Sequence, residues 1–175
     1  MKGWIILNSR NVKLRSTTTK LVYTGMLIAI SFVGSLIKIQ GSIALDSMPG
    51  FFAALFLGPV YGALVAGLGH ILTAATSGFL LTVPIHIVIT LEMAVFAYIF
   101  GVVYEKSNGI IASIVGILLN GIGSVLILAP ITTWLQLPLN GKVFIMAMVV
   151  PLSLASAVNI ILACIIYKII EKRAR

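Results

Sequence analysis

Three ionisable side chains fall inside long apolar runs: His70, His86 and Glu92. Such a group in hydrocarbon costs about 3 kcal/mol on insertion scales, so each needs a polar partner or a wet cavity. Two roles are open to them, a buried hydrogen bond that fixes packing or a contact with a bound ligand. At about 100° per residue, Glu92 stands roughly 200° around its helix from Thr90 and Ala94, off the small-residue face. Its candidate polar neighbours are His70, Asn120 and Asn159. His86 sits nearer one end of its run, as an interfacial residue or a ligand contact. Asp46 shares a polar stretch with Gln40, Ser42 and Ser47. It reads either as the cap of the helix that Asp46-Ser47-Met48-Pro49 would open, or as an acceptor for a ligand under a loop. Trp134 is either an interfacial belt residue or an aromatic wall for a planar ligand.

The parts of enzyme chemistry are missing. The sequence holds no HExxH, no GxSxG, no carboxylates paired at catalytic spacing, no Cys/His cluster and no Walker-type phosphate loop. The chain is read as a non-enzyme without a cofactor. Its single cysteine, Cys164, excludes an intrachain disulfide and a CxxC metal site, and reads as a small packing residue. Neither the repeated filter loops or charged rings of a channel nor the two related halves of a secondary transporter are visible.

Composition supplies the solvent for these residues. Of the 175 residues, 60% are hydrophobic and 9% charged, against about a quarter charged in a soluble domain. A helix needs roughly 20 residues to cross about 30 Å of hydrocarbon. The expected fold is therefore an all-α polytopic membrane protein, one bundle of six transmembrane helices at about 20–39, 49–57, 59–76, 84–104, 109–131 and 143–170. Residues 1–19 are expected to form a retained cytoplasmic arm, because Trp4 to Leu7 is too short for a signal-peptide core. Gly58-Pro59 breaks the second apolar run and Pro84 opens the fourth helix; Pro151 is expected to kink the sixth.

Charge separates six spans from five. With six, Lys2, Arg10, Lys13, Arg15, Lys20, Lys106, Lys168, Lys172, Arg173 and Arg175 share one side, and Lys38 and Lys142 take the other. Ten against two places both termini in the cytoplasm by the positive-inside tendency. The net charge of +8 is thus read as orientation, not as a nucleic-acid surface.

Small residues recur at four-residue spacing, which lets helix backbones approach in lipid. The sets are Gly25 and Ala29; Gly58, Gly62 and Ala66; Ala112, Gly116, Asn120 and Ser124; and Ala147, Pro151, Ala155 and Asn159. Residues 41–78, GSIALDSMPGFFAALFLGPVYGALVAGLGHILTAATSG, resemble the S components of energy-coupling factor (ECF) vitamin transporters, with Leu57-Gly58-Pro59-Val60-Tyr61-Gly62 as the LGPxxG-like segment. The resemblance covers about residues 20–170. It implies a six-helix substrate-binding subunit in a prokaryotic plasma membrane, working with one transmembrane coupling subunit and two ATPase subunits. Gly25-Met26-Leu27-Ile28-Ala29 stands where that family carries an Ala-x-x-x-Ala docking pattern, with glycine in the first position. The resemblance also implies an outward-facing pocket, to which Asp46, Phe79, Thr82, His86, Glu92, Asn120, Ser124 and Trp134 could contribute. ALDSMPGF, GLGHILTA and the later PIH resemble members handling cobalamin precursors, α-ribazole carriers above all. Pantothenate, folate and intact cobalamin stay open, as does a stand-alone transporter or structural subunit built on His70 and Glu92.

Overall fold

The structure is a computed structural model and describes residues 5–8, 11–14, 16–40 and 43–174. The charges at Lys2, Arg10, Arg15 and Arg175 lie outside the described residues, and so does Ser42. Six helices make up the body: α1 (Thr17–Ser35), α2 (Met48–Phe56), α3 (Pro59–Thr76), α4 (Val83–Lys106), α5 (Gly109–Trp134) and α6 (Gly141–Ala174). All but α2 are long and apolar enough to cross a membrane. Large apolar side chains such as Leu21, Leu68, Leu91, Ile114 and Leu154 point outward around the bundle. Only hydrocarbon accommodates so extensive an exposed apolar surface.

Two short antiparallel hairpins, unmarked by the hydropathy pattern, accompany the helices. β1 (Ile5–Asn8) pairs with β2 (Asn11–Leu14) in the arm that precedes α1, and β3 (Lys38–Gln40) pairs with β4 (Ile43–Ala44). The second hairpin explains why α1 stops at Ser35, short of the expected residue 39. The chain turns at Leu36 and Ile37 and runs back into the bundle as a strand pair.

Helix α2 has nine residues, a rise of only about 13 Å, less than half the hydrocarbon thickness. Its residues from Pro49 to Phe56 are all buried, so it forms the centre of the bundle instead of part of its lipid-facing wall. It ends at Gly58, whose φ of 112° suits glycine, and Pro59 opens α3 at a position where no amide hydrogen is needed. Glycine permits the close return. A Cβ on Gly50 would stand 2.9 Å from the Ala66 Cα, and one on Gly62 would stand 2.6 Å from the Ala54 Cα. The spaced small residues of α3 thus serve packing against α2.

Helices α1 and α3 run side by side in the same direction. Lys20 lies over the Tyr61 ring, 5.2 Å from its centroid, near the start of both, and Lys38 bonds Ser77 just past their ends. The segment between them, residues 36–58, therefore returns from one end of the bundle to the other. It does so as hairpin, loop and the short helix α2.

Candidate functional site

A cavity of about 190 Å³ lies toward the end of the bundle that carries the α1–α2 and α3–α4 connections. The returning segment contributes Ile43, Ala44, Asp46 and Ser47 to it, and the α3–α4 connection contributes Leu80 and Leu81. His70 of α3, Ile89 and Met93 of α4, and Asn120, Ser124 and Leu128 of α5 continue the wall. The longest side is α6, from Phe144 through Met148, Leu152, Ala155 and Ser156 to Asn159. The cavity is thus mainly apolar, with polar groups placed at intervals, as ligand sites commonly are.

The polar groups are held by one another. Thr73 Oγ1 donates to Asp46 Oδ2 at 2.6 Å, the ring Nδ1 of His70 stands 3.7 Å from the same oxygen, and Ser31 Oγ donates to the Asp46 carbonyl at 2.5 Å. His70 Nε2 meets His86 Nδ1 at 3.3 Å, and Phe79 packs edge-on against the His86 ring. Asn120 Nδ2 donates to Ser156 Oγ at 2.7 Å, and Ser124 Oγ donates to Glu92 Oε2 at 2.5 Å. His86 Nε2 and Glu92 Oε1 are buried without a hydrogen-bond partner among the described residues.

Asn159 joins the returning segment to α6. Its Oδ1 accepts the Met48 amide at 2.9 Å, and its Nδ2 donates to the Ala44 carbonyl at 3.3 Å and to the Ala155 carbonyl at 2.8 Å. It does the capping expected of Asp46: the carboxylate of Asp46 bonds Thr73, and no side chain of the preceding turn caps α2. An amide from 111 positions away in sequence fills that place.

Of the sequence-selected residues, Asp46, Asn120 and Ser124 line the cavity. Glu92 stands behind Ser124, and His86 behind His70. Phe79 touches His86 but not the cavity, and Thr82 is exposed at the start of α4 with a φ of 79°. Trp134, the last residue of α5, is 81% exposed and lies outside the cavity; Phe144 is the aromatic side chain that lines it. The hydrogen-bond partner of Glu92 is Ser124 and none of its three candidate neighbours: His70 pairs with Asp46 and His86, Asn120 with Ser156, and Asn159 with backbone. Among the described residues no hydrogen bond or ion pair joins His70 to Glu92, the pair on which a stand-alone proton-linked carrier would be built.

Two features had no marker in the sequence. The turn Leu118–Gly123 inside α5 is π-helical and carries Asn120, and such turns concentrate where helices bear sites. Within it, Gly121 lets α5 reach α6, because a Cβ there would stand 2.9 Å from the Ser153 Cα. Ser47, His70, Ser156 and Asn159 form the rest of the cavity's polar lining, and of these Ser156 is the one the sequence left unmarked.

Away from the cavity, Gly25 and Ala29 are exposed on α1, whose buried residues Thr24, Leu27, Ser31 and Ser35 face the bundle. A Cβ on Gly25 would meet nothing within 4 Å.

A family model described as "ECF transporter, substrate-specific component" matches residues 19–171. No curated protein and no solved structure matches the chain.

Proposed function

Because the chain belongs to the family of ECF transporter substrate-specific components, we propose that the cavity beneath the returning segment is its substrate site, and that α-ribazole is its substrate. Membership makes the protein a membrane-embedded substrate-binding component and not an enzyme. The observation that carries the assignment is the cavity itself, in which Asp46, Asn120 and Ser124 offer polar contacts beside the Phe144 ring.

α-Ribazole joins a planar dimethylbenzimidazole to a ribose. Phe144 supplies an aromatic wall, and ring pairs add about 0.5–1.5 kcal/mol beyond burial. Asp46, Asn120 and Ser124 supply acceptors for hydroxyl groups. The cavity of about 190 Å³ is smaller than the roughly 300–1,000 Å³ usual for sites of drug-sized ligands. The returning segment must therefore shift for the whole nucleoside to enter. Calorimetry on the purified protein should show tight binding of α-ribazole and none of pantothenate, folate or cobalamin. Tight binding of one of those three without α-ribazole would remove the substrate assignment.

The proposed topology has six crossings, five by the long helices and one by residues 36–58, with both termini in the cytoplasm. Its support is the common direction of α1 and α3 together with the ten-to-two division of basic residues. Cysteines placed at residues 2 and 175 should resist an impermeant thiol reagent added to intact cells. Labelling of either one from outside would refute this topology.

The proposed partners are the coupling subunit and its two ATPases, docked through the Gly25–Ala29 face. Copurification of ATPase subunits with the tagged protein is the expected sign of that assembly.

A further inference from the structure

From the distribution of charge around the cavity, we infer that it is built to exclude anions and to take an uncharged or cationic ligand. The inference rests on the cavity being the substrate site, and it reaches the substrate class without using resemblance.

The first observation is that, among the described residues, no lysine or arginine lines the cavity. Lys38, which opens the returning hairpin, is exposed and bonded to Ser77. Two carboxyl groups stand close by, Asp46 in the lining and Glu92 directly behind Ser124. The contact between His70 Nε2 and His86 Nδ1 leaves one of these nitrogens as acceptor, so the pair holds at most one imidazolium.

The second observation is the direction of the hydrogen bonds. Ser124 spends its hydroxyl hydrogen on Glu92, so its oxygen turns only lone pairs toward any further partner. Asn120 spends one of its two amide hydrogens on Ser156, leaving its carbonyl oxygen as acceptor and its second N–H as donor, while Ser156 keeps its own hydroxyl hydrogen. Thr73 and His70 both approach Oδ2 of Asp46, so Oδ1 is the carboxylate oxygen left to accept. Asn159 is committed to backbone at both ends.

A carboxylate or phosphate entering here would shed water without gaining a lysine or arginine as countercharge and would stand near the Asp46 carboxylate, a combination that disfavours it. A hydroxyl, amine or ring N–H would meet acceptors, and its apolar remainder would meet Met93, Phe144 and Met148. Among the ligand classes considered above, pantothenate and folate are carboxylates and are disfavoured on this ground alone.

Thiol reagents of opposite charge test this without a known ligand. In full-length protein carrying Cys164→Ala, a cysteine is placed in the lining by Met148→Cys and, separately, by Leu152→Cys; Trp134→Cys is the exposed reference. Each is treated with methyl, trimethylammonium-ethyl and sulfonatoethyl methanethiosulfonate. Relative to the reference, the lining positions should prefer the cationic over the anionic reagent by about tenfold or more, the lower end of the range for a cleft lined by one sign of charge. Asp46→Asn should shrink that preference. A normalised ratio near one, or a faster anion, would overturn the inference. So would failure of the neutral reagent to reach either position, since a sealed cavity selects nothing. Calorimetry with α-ribazole reads the substrate assignment separately, so the two can fail independently.

Discussion

Tryptophan at both Gly25 and Ala29 is expected to abolish transport while leaving substrate binding intact. The two positions lie on the exposed face of α1, opposite Thr24, Leu27, Ser31 and Ser35, and a side chain grown from Gly25 meets nothing of its own protein within 4 Å. The bundle should therefore fold around the double variant as before. Close packing of helices in lipid depends on small residues at the contact. A wedge forced into such a contact costs about 1–3 kcal/mol, and two together should lower occupancy of the assembled transporter by about 30-fold or more. The same substitution at Gly62 is a contrasting control, because its Cβ would lie 2.6 Å from the Ala54 Cα and the damage should appear in folding. Uptake assays and calorimetry on one preparation separate the cases. Normal uptake by the Gly25→Trp, Ala29→Trp protein would show that this face meets only lipid.

The contrast between Gly25 and Gly62 also marks what a sequence can show of such a molecule. Hydropathy over 20-residue windows, the Gly58-Pro59 break and the first-turn Pro84 are local signals, and they indicate helices because their causes are local. Asn120 and Ser124 stood out as polar members of a four-residue-spaced set in an apolar run, and Asp46 as the acid of the polar stretch that precedes Pro49. How each helix is rotated against its neighbours is not local. Four-residue spacing occurs both on α1, where it faces outward, and on α3, where it meets α2. Trp134 fits an aromatic wall by residue type, yet it ends α5 outside the cavity, while Phe144 lines it from the first turn of α6. The hydrogen bond between His70 and His86 depends on the antiparallel register of α3 and α4. The π-turn at Leu118–Gly123 holds Gly121, where α5 meets α6, and its residues read as ordinary helix.

Loss of the Asn159 amide is expected to be the most damaging change that leaves the cavity wall otherwise as it is. Its carboxamide holds the returning segment at two backbone points, the Ala44 carbonyl before the turn and the Met48 amide after it, with Asp46 and Ser47 between them. Asn159 is 1% exposed, so water does not substitute freely when the carboxamide is removed. In Asn159→Ala the Met48 N–H and the Ala44 carbonyl both lose this partner, at about 1–3 kcal/mol for each buried group left unsatisfied. The released segment carries Asp46, so substrate affinity should fall with stability, by about tenfold for each 1.4 kcal/mol spent on reordering it. Asn159→Asp separates the two ends of the clamp. A carboxylate still accepts the Met48 amide but turns a lone pair toward the Ala44 carbonyl, so it should keep the α2 cap while failing to hold the hairpin. Thermal unfolding in detergent and calorimetry together read the result, with both variants impaired in both measurements, the aspartate in stability because a carboxylate buried there carries its own desolvation cost. Wild-type affinity in both variants would mean that the segment is placed by Thr73 and Ser31 alone, through their bonds to Asp46.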